Sequence, residues 1–250
     1  GPRASGQGRR RFLRRAVRLL ITRPQPDGAR TAAALRARGH EPVLAPLLRI
    51  EPVAAAFGRG PWDGVVMTSA NAARALATHP RRAELVGLPA FVVGRRTGEA
   101  ARETGFDQII SADGDADDLV RLIKRQSATA LLYLAGADQA TDLAAALSDG
   151  STRLDTVVVY RAVTEARLPD DVRTALASGA VDGVLHFSAR SAAAFVAALA
   201  AANLRTPLAL PQFCLSSEVA RPLVAAGAPD LRVAARPDEA GLLALVAEVT

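Results

Sequence analysis

Along the chain, short apolar runs alternate with longer stretches in which Ala and Leu recur at helical spacing. Residues 17–22 lead into 28–38, and residues 64–67 lead into 71–78. An uninterrupted apolar run of this length is a strand buried on both faces, and an Ala/Leu stripe is a helix covering it. Strand and helix in strict alternation predict parallel sheets covered by helices, the α/β class.

The alternation is also duplicated. Asp63-Gly64-Val65 through Leu76 lies on Asp182-Gly183-Val184 through Phe195 without a gap, with seven of fourteen positions identical, Ser69 and Ser188 among them. The following units keep step: Pro89-Ala90-Phe91 reappears as Pro211-Gln212-Phe213, and 107–123 runs parallel to 230–246. Leu19-Leu20 leading to Ala32-Ala33-Ala34-Leu35 is matched by Leu131-Leu132 leading to Ala144-Ala145-Ala146-Leu147. The chain therefore reads as two copies of one α/β module. Two extended, β-prone stretches, 44–53 and 157–163, interrupt the pattern, and each ends a copy of the first unit. The repeat permits a plain tandem cut near Ser127, or an exchanged arrangement in which the two stretches cross between lobes.

Composition sharpens this picture in three ways. Half of the 250 residues are apolar but only 4% are aromatic, so the core is built from Ala, Val and Leu. The net charge of +6 is local: residues 1–18 carry seven arginines and no acid, leaving 24 basic against 25 acidic residues beyond them. Residues 1–16 thus read as a basic disordered tail opening on Gly1-Pro2, which has the form of a cleavage remnant, and the folded body carries no nucleic-acid signature. After Arg9-Arg10-Arg11 the apolar run is short and broken by Arg18, which predicts no export signal, and no run approaches a membrane span. Cys214 is the single cysteine and sits between Phe213 and Leu215, as a buried hydrophobe in a reducing cytoplasm would. His40, His79 and His186 have no metal-ligand spacing, and His186 within Val184-Leu185-His186-Phe187 reads as a hydrogen-bonded strand residue.

The sequence holds no phosphate-binding glycine loop, HExxH helix, GxSxG elbow or cysteine cluster. Asp113-Gly114-Asp115-Ala116-Asp117 imitates the start of a calcium loop, but Asp118 and Lys124 occupy the positions that need glycine and glutamate. No metal or cofactor is therefore expected. What remains is a set of small polar residues at strand-to-helix turns: Thr68-Ser69-Ala70-Asn71, Gly94-Arg95-Arg96-Thr97, Ser188-Ala189-Arg190-Ser191 and Ser216-Ser217. Singly, each is an N-cap. Four of them at the carboxyl ends of predicted strands, with Arg23, Arg74, Arg95, Arg96 and Arg190 nearby, suggest a shared cleft for a polyanion.

The order and spacing of several short motifs across 17–250 resemble the uroporphyrinogen-III synthases. They are Leu20-Ile21-Thr22-Arg23-Pro24, Val66-Met67-Thr68-Ser69-Ala70-Asn71-Ala72, Val92-Val93-Gly94 with Thr97, Val158-Val159-Tyr160-Arg161, Phe187-Ser188 and Cys214-Leu215-Ser216. The chain departs from the family where Gly-Pro and a nearby Thr commonly follow the Cys214-Leu215 position, here Ser216-Ser217 and Val219, and where Ala135-Gly136-Ala137 lacks a basic residue.

The resemblance implies the exchanged arrangement: two flavodoxin-like lobes, 17–47 plus 164–250 and 53–156, joined by a hinge ladder of 48–52 with 157–163. It implies a monomeric, cofactor-free, cytoplasmic lyase with no nucleic-acid or membrane partner, acting on hydroxymethylbilane, a linear tetrapyrrole with eight carboxylates. The product is uroporphyrinogen III, formed with loss of water and inversion of ring D through a spiro intermediate. Tyr160 is the expected catalytic residue, assisting departure of the hydroxyl; the alternative is a buried tyrosine filling the hinge. Arg23, Thr68, Ser69, Asn71, Gly94, Thr97, Ser188, Ser216 and Ser217 are the expected substrate-binding set, and Tyr133 is expected in the core. The rival readings are a non-catalytic tetrapyrrole or polyanion binding protein of the same fold, and a bilobal receptor for a small anion.

Overall fold

Leu19 and Ile21 face one side of their strand and Leu20 the other, and all three are fully buried. That is the condition an all-apolar strand requires, and it is met throughout a computed structural model describing residues 16–112, 116–126, 128–138, 142–147 and 152–248. The basic tail expected over 1–16 lies outside the described residues apart from Ala16, as do Ser127 and Asp113-Gly114-Asp115.

The chain forms two compact units, one from residues up to Arg49 together with Thr164 onward, the other from Ile50–Val163. In chain order the elements begin with β1 (Arg18–Ile21), α1 (Asp27–Arg36), β2 (Glu41–Leu44) and β3 (Leu48–Pro52). The second unit continues with β4 (Gly64–Met67), α2 (Ala70–Ala77), α3 (Arg82–Leu85), β5 (Ala90–Val93), α4 (Gly94–Thr104), β6 (Ile109–Ala112), α5 (Ala116–Arg125), β7 (Ala130–Gly136), α6 (Asp142–Ala146) and β8 (Arg153–Thr164). The first unit is completed by α7 (Asp170–Ala177), β9 (Gly183–His186), α8 (Ala189–Ala201), a 3-10 turn (Thr206–Ala209), β10 (Gln212–Cys214), α9 (Ser217–Ala225), β11 (Leu231–Val233) and α10 (Glu239–Ala247).

The sheet of the first unit has the order β11-β10-β9-β1-β2, and that of the second β3-β8-β7-β4-β5-β6. With β3 set aside, the orders are the same when β1 is matched to β7, β2 to β8, and β9, β10 and β11 to β4, β5 and β6. Unit 1 presents them in the flavodoxin-like order 2-1-3-4-5 along the chain, and unit 2 is the same module circularly permuted. The match extends to single atoms. Gly64 lies beneath Phe91, where a Cβ would be 2.7 Å from the ring, and Gly183 beneath Phe213 at 2.8 Å. Val65 N–H donates to Pro89 O at 2.9 Å, and Val184 N–H to Pro211 O at 3.0 Å.

Helices cover both faces of each sheet. In unit 1, Leu20, Val184 and Cys214 share a core with Val172, Phe195, Leu199 and Leu223 from α7, α8 and α9. On the opposite face Leu19, Ile21, Leu185 and Phe213 meet Ala32 and Leu35 of α1 and Leu242, Leu243 and Val246 of α10. In unit 2, Val65, Met67, Val92 and Leu132 pack with Ala72, Leu76 and Ala101 of α2 and α4, while Val66, Phe91 and Leu131 pack with Leu119 and Ile123 of α5. Burying each such large side chain contributes about 2 kcal/mol.

The extended stretch expected over 157–163 is only part of a twelve-residue strand. Its first part pairs in parallel with β7, and it also neighbours β3. Val53 N–H donates to Val159 O and Glu165 N–H to Leu47 O, both at 2.9 Å. Partners advance along β3 as they retreat along β8, so these two strands run antiparallel. The Arg161 guanidinium closes the pair with two bonds of 3.0 and 2.9 Å to one oxygen of Glu51.

Candidate functional site

Arg23, Thr68, Ser69, Gly94, Ser188 and Ser216 follow the carboxyl ends of strands in their own sheet, where helix N-termini leave N–H groups for ligands, whereas Tyr160 lies within β8. In unit 2, Ser69 is the N-cap of α2, and its Oγ accepts from Asn71 N–H at 3.2 Å. Asn71 in turn accepts from Arg74 at 3.1 Å through its side-chain oxygen. Thr68 Oγ1 lies 3.1 Å from the hydroxyl of Tyr133, which is buried in the core as expected. α4 begins on Gly94 at φ +74°, a conformation a side chain would strain, and its N-cap Val93 supplies no side-chain cap. Thr97 is buried one turn inside that helix.

Tyr160 joins this group. It belongs to β8, is only 7% exposed, and its hydroxyl bonds with the side chain of Ser69. Burial is the main influence on the phenol and raises its pKa; the Ser69 hydrogen bond acts in the opposite direction, and the nearby charge of Asp138 adds to the rise. The phenol is therefore protonated at neutral pH. The ring lies in the core, as the buried-tyrosine alternative has it, and its polar end meets a helix cap.

In unit 1, Ser188 caps α8, its Oγ accepting from Ser191 N–H at 3.1 Å, and Ser216 caps α9, accepting from Val219 N–H at 3.4 Å. Ser217 begins α9 and is exposed. Arg23 is only 8% exposed and is engaged inside the unit. Its guanidinium lies 3.6 Å from Asp27 and 3.6 Å from Glu239, donates to Thr31 at 3.2 Å, and covers the Phe187 ring at 4.4 Å. Opposite charges thus surround the cation that the sequence suggested as a substrate anchor.

His186 is a buried strand residue, as expected. Both amide hydrogens of Gln212 go to backbone oxygens, Pro207 O and Leu210 O, each at 2.9 Å. Its side-chain oxygen must therefore accept, so His186 Nε2, at 2.9 Å, carries the proton. Burial pushes the imidazole down to about 4 against the opposing Gln212 hydrogen bond. Burial also pushes the Cys214 thiol up to about 12. Both groups are neutral and sit in the core of unit 1.

Sequence reasoning gave no site role to Gly136, Asp138, Phe187 or Glu239. Gly136 ends a buried apolar run, a position where a glycine signals close approach. The others carry no local signal, because their partners are far away in the chain.

Among the described residues, no group of three or more His, Cys, Asp or Glu is placed to hold a metal ion, and no helix is long and apolar enough to cross a membrane. The fold and its turns define an α/β protein of two doubly wound units, one a circular permutation of the other, with hydroxyl-capped helices at the strand ends. Residues 29–244 match the family of uroporphyrinogen-III synthase HemD (HEM4), and the chain belongs to that family of enzymes of tetrapyrrole and heme synthesis. The fold is that of the uroporphyrinogen-III synthetase of Helicobacter pylori 26695, at a TM-score of 0.65 and 15% identity over 94% of this chain and 100% of that one. A mutant uroporphyrinogen III synthase of the extremely thermophilic bacterium Thermus thermophilus is similar at a TM-score of 0.52 and 18% identity, covering 94% of this chain and 99% of that one. No curated protein sequence matches the chain.

Proposed function

We propose that the protein closes hydroxymethylbilane into uroporphyrinogen III with inversion of ring D, and that Tyr160 donates the proton that lets the hydroxyl leave. The observation that carries this reading is the Tyr160 hydroxyl held on the Ser69 cap at the carboxyl end of β4. The C–O bond of the hydroxymethyl group breaks with its electron pair on oxygen, and the phenol proton completes a molecule of water. The methylene left on ring A is electrophilic, and ring D attacks it through its already substituted carbon to give a spiro intermediate. That intermediate breaks and recloses with ring D inverted, and the proton lost as the last pyrrole regains aromaticity returns to the phenolate.

The bilane supplies the reactivity, so the protein supplies conformation. Holding the reacting carbons in a near-attack geometry is worth about 7–11 kcal/mol, enough to favour the inverted isomer over spontaneous closure. The carboxylates of the substrate are received by Thr68, Ser69, Asn71, Gly94 and Thr97 in unit 2 and by Ser188, Ser216 and Ser217 in unit 1, with Arg23 shaping the turn after β1. The same reading assigns 48–52 and 157–163 the role of a flexible connection between a lobe of 17–47 plus 164–250 and a lobe of 53–156. It takes the enzyme to be a cytoplasmic monomer.

Incubation of the protein with freshly prepared hydroxymethylbilane, followed by isomer separation, tests the proposal. The expected product is the type III isomer. Type I alone would reject the synthase reading, and type I together with tight bilane binding would favour a non-catalytic tetrapyrrole binder.

A further inference from the structure

Tyr160 and Gly136 meet where β7 and β8 depart from regular pairing. Ala135 lies opposite Val158 and Gly136 opposite Tyr160, so β8 carries one extra residue at this point. A Cβ built on Gly136 would stand 2.6 Å from Cζ, 2.7 Å from Oη and 2.9 Å from Cε2 of Tyr160. Those atoms form the hydroxyl end of the ring, and no carbon can approach them that closely. The space above Gly136 is the space the phenol occupies.

The phenol is also held through Ser69. Ser69 Oγ is fixed by accepting Asn71 N–H, and its own hydrogen is available to the phenol oxygen. The ring shares the core of unit 2 with Leu132, Leu134 and Val159, which leaves it little freedom to relocate without losing the Ser69 bond.

We infer that Gly136 is a positioning residue for the ring closure: its missing side chain leaves the space in which the Tyr160 hydroxyl rests on Ser69. The inference rests on the function proposed above. A methyl group at 136 pushes the phenol off Ser69 and towards solvent while leaving the sheet intact.

The test uses the full chain, the variants Gly136→Ala and Tyr160→Phe, and the double variant, with circular dichroism as the check on folding. Gly136→Ala is expected to lower kcat for type III formation by about a hundredfold with KM little changed. The double variant is expected to be no slower than Tyr160→Phe alone, because both changes remove the same hydroxyl from its place. A second readout needs no turnover. The chain has two tyrosines, so subtracting the phenol absorbance titration of each Tyr160→Phe counterpart isolates the Tyr160 phenol. In Gly136→Ala its midpoint is expected to fall towards the ordinary tyrosine value, as burial is relieved. Parental kcat in Gly136→Ala, losses that multiply in the double variant, or an unmoved phenol midpoint would overturn the inference. If the parent protein made no type III isomer, the proposed function would fall, and the titration alone would decide whether Gly136 places the hydroxyl.

Discussion

The two units place the same module around the same kind of switch point and fill it differently. In unit 1 the switch lies between β1 and β9, in unit 2 between β7 and β4, the pairs whose neighbours lead off in opposite directions. Leu19 stands opposite Gly183 and Leu131 opposite Gly64, so counting along the strands matches Arg23 to Ala135. Unit 1 puts a guanidinium there and surrounds it with Asp27, Glu239, Thr31 and the Phe187 face. Unit 2 has a methyl group, and its switch point is bordered instead by the Thr68–Tyr133 and Ser69–Tyr160 hydroxyl contacts. The position after β1 thus holds an internally compensated charge in one copy of the scaffold, while its counterpart in the other holds a methyl group beside tyrosine hydroxyls. Fold alone does not distinguish the two strand ends; the polar inventory of each does.

The strongest way to break this contrast is Arg23→Ala. If the guanidinium is structural, its loss leaves the partly buried Asp27 and Glu239 with Arg30 as their shared cation, and stability falls by about 2 kcal/mol, read as a lower urea midpoint. An unchanged midpoint with a raised KM would instead make Arg23 a substrate anchor. Next comes Tyr160→Phe, expected to cut type III formation by about a hundredfold at unchanged fold; parental turnover would remove the phenol from the mechanism.

A third prediction concerns pH and unit 1. His186 is held down to about 4 in the folded state against an ordinary histidine value of 6.5, so below pH 6.5 the unfolded chain binds more protons than the folded one. Stability therefore declines as pH falls from 6.5 towards 4, by about 2 kcal/mol at pH 5. Urea midpoints measured across that range should show the decline in the parent and a flatter profile in His186→Leu. The smallest effect is expected from the caps. Ser216→Ala in unit 1 removes one N-cap bond and costs about 1 kcal/mol of stability. Ser69→Ala in unit 2 costs a similar amount but also lowers turnover, since it removes the partner of Tyr160. Equal turnover in the two variants would erase the proposed difference between the units.

Part of this molecule was legible as text because it depends on near neighbours. The alternation of strand and helix, the repeat that matches Gly64 to Gly183 and Phe91 to Phe213, and the Ser69, Ser188 and Ser216 caps all follow from residues close along the chain or repeated at fixed spacing. The family motifs are legible for the same reason. The long strand Arg153–Thr164 was only half legible, because its first residues, such as Arg153 and Asp155, lack the β-branched run seen from Val157 to Val159. They become strand by pairing with β7.

By itself, then, the sequence determined that the chain is a duplicated α/β module with hydroxyl-bearing turns after its strands. The tertiary structure decided that one module is permuted along the chain, that Arg23 is neutralised by Glu239 from 216 residues away, and that Tyr160 reaches Ser69 across β7, over Gly136. Hydrophobic periodicity and capping are local and leave a pattern in the order of residues. Strand partners, charge neutralisation and the clearance above a glycine are set by which distant segments meet, and only the folded chain brings those segments together.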